Sequence, residues 1–439
     1  MFVHDIDYSR KKTKSGMEVV IAPLPESPTI TAIILFKAGS RDEIPQQSGI
    51  SHFLEHMVFK GNKNYQKPKE VASAIESLGG SFNAFTSKEN TVFYVKVGSD
   101  FLPIALKWLS SLVSAPLIRK KDVDSERGVI LEEINMYNDT PMRQVGDYFE
   151  GLLLSGTTLG RSIIGNKKTL SGMSALDLKK YHQENYHPSN AVFVVAGNLK
   201  KSLERKKTTE KFFSEIEKHF SQLPKPKKEE KANIVFPKRK GDSKARVKVV
   251  YKKTDQTHLV LGAKTFSLFD KRRYPLLLLN TILGGGMSSR VFCEIREKRG
   301  LAYYVNSGMH LYKDTGYLAV NAGVNNEKLE QAIREIKKVY RNIEQKLVSV
   351  SELKKAKDQV IGSMLLERET SDDIAFLLGS EIISQGEFMP FSQEIKIIKK
   401  ISREDLRKVA REFLSAERLH LALIGPWKTS YHKKFEKLI

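Results

Sequence analysis

Within five residues, His52-Phe53-Leu54-Glu55-His56, the chain places two imidazoles and a carboxylate. Around them Ile50, Phe53, Leu54, Met57 and Val58 recur at i, i+3, i+4, i+7 and i+8. At about 100° per residue these positions form one apolar stripe, so the segment reads as an amphipathic helix. His52, Glu55 and His56 then project from the other side. Imidazoles four residues apart are neighbours on a helix and can converge on one divalent cation. Glu55 stands beside the same point, where it can take a proton from a metal-activated water rather than ligate. The order H-x-x-E-H is the inverted zinc motif. The competing reading is a solvated polar face that carries two histidines by chance.

A catalytic zinc centre needs a third protein ligand and an open position. The candidate is Glu133, in Glu126-Arg127-Gly128-Val129-Ile130-Leu131-Glu132-Glu133-Ile134. Glu126 and Glu133 are seven residues apart and share a helix face, with Val129, Ile130 and Tyr137 along the same stripe. Carboxylates in an apolar stripe are costly unless compensated. A divalent cation, with a hydrogen bond from an outer residue, compensates them. Glu132 is the rival ligand, but its helical phase sets it off the stripe. Exposure of both acids to solvent is the alternative that the residues alone leave open.

The elements that must position these groups recur along the 439 residues. The strand-like Ile30–Phe36 and the helical 48–60 have counterparts in His258–Ala263 and Tyr274–Ile282. The hairpin of 80–84 with 91–97 matches 301–305 with 316–320. The helix around Glu126 to Ile130 matches one around Lys357 to Ile361. Each half ends alike, at Ala191–Gly197 and Leu419–Gly425. Five elements in the same order imply a duplicated α+β unit, each copy a mainly antiparallel sheet packed with helices. Period-two alternation implies half-buried strands. The expected division is a catalytic domain over 1–222, a basic linker over 223–243 and a second domain over 244–439. Met364 stands where the repeat would put Glu133, so one metal site per chain is expected.

Composition narrows the class. Hydrophobic residues make up 40 % and charged residues 28 %, enough for ordinary globular cores. The single cysteine, Cys293, rules out an intramolecular disulfide, and its apolar neighbours predict a small buried side chain. No apolar run reaches the ~18 residues of a membrane span, and the N-terminus lacks the pattern of a leader, so a soluble, cytoplasmic protein is expected. The net charge of +22 raises nucleic acid as a partner. The basic runs between Lys200 and Lys253 lack the interleaved aromatics of a base-stacking surface, so specific nucleic-acid binding is not expected. Gly284-Gly285-Gly286 lacks the following pattern of a phosphate loop and reads as a turn before a helix.

Taken together, His52 to Gly61, Gly80 to Thr86, Glu126 to Glu133, and Leu283 to Tyr303 resemble the pitrilysin and mitochondrial processing peptidase family of inverzincins, in its single-subunit bacterial-type branch. The resemblance spans nearly the whole chain. It implies a zinc endopeptidase acting on short or unfolded peptides, with one zinc on His52, His56 and Glu133, and Glu55 as general base. Glu126 matches an acid that supports the site from outside the ligand shell. Asn83 and Ala84 match an edge strand that hydrogen-bonds substrate backbone. Arg296 and Tyr303 match a pair that reaches over the zinc site from the opposing half of a clamshell and stabilises the oxyanion. A chain of two such domains forms half of that clamshell, so a homodimer is implied. Relatives that serve as non-catalytic assembly or recognition subunits supply the alternative function.

Overall fold

The computed structural model describes residues 5–206, 208–225 and 245–439. Its strands are β1 (Ser9–Lys12), β2 (Glu18–Pro23), β3 (Thr29–Phe36), β4 (Ser81–Thr86), β5 (Thr91–Gly98), β6 (Ala191–Gly197), β7 (Val247–Tyr251), β8 (Gln256–Thr265), β9 (Ala302–Leu311), β10 (Gly316–Asn325) and β11 (His420–Gly425). They form one sheet in the order β1-β2-β6-β3-β5-β4 and another in the order β7-β11-β8-β10-β9. Replacing β2, β6, β3, β5 and β4 by β7, β11, β8, β10 and β9 converts the first order into the second, with β1 left over. The repeat read from the residues is therefore a repeat of topology. Within each sheet one pair is parallel, β2 with β6 and β7 with β11, and the remaining pairs are antiparallel.

Helices relevant to the site are α1 (Ile50–Val58), α2 (Pro68–Glu76), α3 (Leu102–Ser114), α4 (Lys120–Asn138) and α5 (Pro141–Leu153). The chain folds as two compact units interleaved in sequence. The first draws on the described residues of Met1–Ile134, Arg161–Phe236 and Leu365–Phe391. The second draws on those of Asn135–Gly160, Pro237–Met364 and Ser392–Ile439. Leu223, at the start of the expected linker, is buried in the first unit's core, and the linker from 226 to 243 lies outside the described residues.

In the first unit, Ile30, Ala32, Ile34 and Phe36 of β3 face a core built with α1, α3 and α4. Ile33 and Leu35, on the other face, pack with Ile374, Leu378 and Ile382 of the helix Ser371–Gln385. Ser371 adds hydrogen bonds to the hydroxyls of Thr29 and Thr31, at 3.1 and 2.9 Å. β3 and β6 are thus covered on both faces, not half-buried as their alternation implies, because a helix far along the chain closes the second face. The second unit covers its sheet in the same way with α5, whose Val145, Phe149 and Leu153 pack on Val260, Ala319 and Ala422. There the buried Glu150 accepts hydrogen bonds from Tyr312 (2.6 Å) and Tyr317 (2.9 Å). Among the described residues no helix is long and apolar enough to cross a membrane.

Candidate metal and catalytic centre

The roll of α1 about its axis decides which of its side chains reach the site. Ile50, Phe53, Leu54, Met57 and Val58 are completely buried, as the stripe predicts. The first turn is held separately. The buried carboxylate of Glu43 accepts hydrogen bonds from the backbone N–H groups of Gly49 (2.8 Å) and Ser51 (2.9 Å), satisfying donors that a helix start leaves unpaired. Gly49 takes φ +98°, and a Cβ there would lie 2.7 Å from the Ile164 carbonyl oxygen, so only glycine fits this entry. The Ser51 hydroxyl lies 2.8 Å from that of Tyr181. Burial pushes the Glu43 carboxyl up to about 7, against the pull of these N–H groups.

α4 brings its acids to the polar side of α1. His56 lies between two of them: its Nδ1 is 2.9 Å from Glu126 Oε1 and its Nε2 is 3.6 Å from Glu133 Oε2. His52 Nε2 is 3.8 Å from the same Glu133 oxygen, and the two imidazole rings stand 4.6 Å apart. One ligand atom from each of His52, His56 and Glu133 can be chosen so that all lie within 4.8 Å of one another. In a tetrahedral zinc centre with bonds of about 2.0–2.1 Å, ligand atoms lie about 3.3 Å apart. The observed spacing needs only a small inward adjustment of side chains, so the residues fit a zinc ion. No second group of this kind occurs among the described residues.

The protonation states show what a bound cation would change. Burial, and next the neighbouring His56, lowers the His52 pKa to about 3, so this imidazole is neutral, the form that binds a metal. Burial also lowers His56, but its carboxylate neighbours, led by Glu126, outweigh burial and hold it above the usual histidine range. With Glu126 accepting a proton-bearing Nδ1, the Nε2 lone pair is left for the side where Glu133 stands. Burial raises Glu133, with His56 opposing. Burial raises Glu55 too, against a 2.6 Å hydrogen bond donated by the Thr86 hydroxyl. Glu126 goes the other way: burial is overcome by His56 and Lys60, which forms an ion pair with it. A divalent cation reverses these penalties by favouring ionised carboxylates and neutral imidazoles.

Glu132, the rival ligand, is exposed. Val129 is 51 % exposed, which removes it from the apolar stripe assigned to it. Ile130 is buried and carries the packing of that face. β4 is the edge strand of its sheet. On it Asn83 is exposed and its side-chain oxygen accepts a 2.8 Å hydrogen bond from the Ala84 N–H, while Ala84 is nearly buried. Arg296 and Tyr303 belong to the second unit, are both exposed, and are neighbours. The guanidinium carbon lies 5.9 Å from the Tyr303 ring centre and 5.0 Å from that of Phe292. Cys293 is half-buried, not enclosed, with Sγ 3.7 Å from the Met287 carbonyl oxygen. Three groups with a clear place at the centre carry no local sequence signal of their role: Glu43 precedes the helix it caps, Lys60 follows the motif as an ordinary polar residue, and Thr86 lies far beyond it on β4.

Comparison with known proteins decides the family. Residues 18–167 match the family model "Insulinase (Peptidase family M16)", and residues 172–360 match "Peptidase M16 inactive domain". The chain belongs to peptidase family M16. This M16 chain is 33 % identical over 97 % of its length to an uncharacterized zinc protease of Streptomyces coelicolor, covering 91 % of that protein. It is 31 % identical to the uncharacterized zinc protease YmxG of Bacillus subtilis, covering 95 % of this chain and 98 % of that one. Its fold matches a protease from Helicobacter pylori with a TM-score of 0.88 and 25 % identity, over 96 % of this chain and all of the other. It also matches a Pseudomonas fluorescens structure described as a peptidase M16 inactive domain, with a TM-score of 0.84 and 21 % identity over 96 % and 98 % of the two chains. The resemblance read from the motifs is thus correct at the level of the family.

Proposed function

We propose that this M16 chain is a zinc-dependent endopeptidase of short or unfolded peptides. The observation that carries the reading is that His52 Nε2 and His56 Nε2 both face Glu133 Oε2, at 3.8 and 3.6 Å, with the nearly buried carboxylate of Glu55 close enough to interact with His56 and Glu133. His52, His56 and Glu133 hold the ion. A bound zinc ion supplies Lewis acidity and a water of lowered pKa. Glu55 takes the proton of the attacking water and delivers it to the leaving amine. The Thr86 hydroxyl fixes the Glu55 carboxylate, and Glu126 fixes the His56 ring. An extended peptide pairs with the free edge of β4 at Asn83 and Ala84, a mode open only to unfolded segments. Arg296 and Tyr303 of a second copy, in a homodimer, bind the developing oxyanion. Their joint exposure, in a unit with no such metal group among its described residues, supports that assignment.

The test is cleavage of a quenched peptide library by wild type and Glu55→Gln, with bound zinc measured in both. About one zinc per chain in each, and cleavage by wild type only, supports the reading. Zinc-loaded wild type that cleaves nothing points instead to a non-catalytic subunit. Wild type that takes up no metal overturns the assignment of the centre.

A further inference from the structure

A second polar site lies in the first unit, in a groove of about 660 Å³ between α3 and the helix Thr209–His219. Both helices bury an apolar face: Leu109, Leu112 and Val113 on one, Phe212, Phe213 and Ile216 on the other. Their remaining faces each carry polar residues at helical spacing. On α3, Lys107, Ser111 and Ser114 follow at i, i+4 and i+7. On its neighbour, Lys211, Ser214 and Lys218 follow at i, i+3 and i+7. These stripes line the groove together, and Lys63 adds a fourth ammonium from the loop before α2.

Four lysines and one glutamate, Glu215, line this groove. Among the described residues no ion pair reaches any of the four ammonium groups, whereas Lys11 and Lys201, elsewhere in the same unit, each have an acid partner. Collecting uncompensated like charges in one concavity is unfavourable unless an anion occupies it. Ser114 gives an independent sign. It lines the groove and is only 8 % exposed, and its hydroxyl, which is enclosed and would reach the groove by rotation of the side chain, has no hydrogen-bond partner. Such a group is a donor held ready for an acceptor.

The donor types select the ligand. The lining contains no arginine, so the planar, two-pronged recognition suited to carboxylates is missing. Ammonium groups with hydroxyls suit the several oxygens of phosphate groups. The lining holds the His219 imidazole but no phenylalanine, tyrosine or tryptophan, so a base-stacking platform of successive rings is not present. We infer that this groove binds a small oligophosphate anion, with the ammonium groups of Lys63, Lys107, Lys211 and Lys218 around it and the Ser114 hydroxyl donating to it. This site is independent of the metal centre and accounts for a local part of the positive charge.

Isothermal titration of the full chain with inorganic triphosphate tests the inference. Wild type should bind one triphosphate per chain, more weakly as sodium chloride is raised. Lys107→Gln/Lys218→Gln should weaken binding at least tenfold with an unchanged circular dichroism spectrum, and Ser114→Ala should weaken it severalfold. Lys179→Gln/Lys180→Gln, which removes the same charge from another helix, should leave the affinity within twofold of wild type. No saturable binding at millimolar triphosphate overturns the inference. So does equal loss in the two lysine pairs, which marks a diffuse charge effect. Tighter binding of a hexaglutamate peptide than of triphosphate overturns the assignment to phosphate.

Discussion

Glu126 Oε1 lies 2.9 Å from His56 Nδ1, on the far side of the imidazole from Glu133. This one contact sets both the ring orientation and the tautomer, and it is made by a carboxylate that Lys60 keeps ionised. Hydrogen bonds of this kind typically change metal affinity by about 10–100-fold. Glu126→Gln should therefore bind zinc about 10–100-fold more weakly, as measured by competition with a chelator of known affinity. Zinc-saturated protein should keep a larger share of its activity than a variant lacking Glu55. Unchanged zinc affinity would remove Glu126 from the role given to it here.

Thr86 acts through Glu55. Its hydroxyl is the donor that holds a nearly buried carboxylate in one orientation, and valine keeps the shape of threonine without that donor. Thr86→Val should retain its zinc and lower kcat about tenfold, within the range for a misaligned general base, while KM changes little. A raised KM with unchanged kcat would instead place Thr86 in substrate binding.

Gly49 is required by geometry. At φ +98°, with the Ile164 carbonyl oxygen 2.7 Å from any added Cβ, alanine must strain the backbone and push α1 away from its seat. Gly49→Ala should destabilise the protein by about 1–3 kcal/mol. Because α1 carries both histidines, zinc affinity should fall as well. Urea denaturation and a zinc titration measure the two effects, and wild-type values in both would show that α1 tolerates another entry.

Glu43 makes metal-free stability depend on pH in a direction opposite to that of an exposed, salt-bridged acid. Its carboxyl titrates near 4.5 when unfolded and at about 7 when folded. Between these values the folded state binds more protons, so unfolding free energy falls as pH rises from about 4.5 to about 7, then levels off. The span corresponds to roughly 3 kcal/mol at most. Glu43→Gln loses one of two backbone hydrogen bonds but also this slope. Denaturation of both proteins with chelator present, at several pH values from 4.5 to 8, should give a stability difference that shifts in favour of the glutamine variant as pH rises. A difference independent of pH would show that Glu43 is not titrating in this window.

Residues that repeat every few positions were legible without coordinates. The buried stripe of α1, the placement of His52 and His56 on its other side, and the five recurring elements all follow from local periodicity, because side-chain direction is set by backbone geometry within one turn or one pleat. The strand order of the two sheets agrees with that repetition. What depends on packing between distant segments was decided only by the tertiary structure. Helical phase already favours Glu133 over Glu132, but that α4 meets α1 with Ile130 buried and Val129 exposed depends on how the two helices pack. Thr86 meets Glu55 because β4 runs along the edge of the sheet beside α1, and Glu43 caps α1 because a loop folds back on it. Both faces of β3 are covered because a helix that begins at Ser371 returns to it. A periodic pattern states which face of an element is apolar. It does not state which distant element that face will meet, since that choice is made by the fit of whole surfaces in the folded chain.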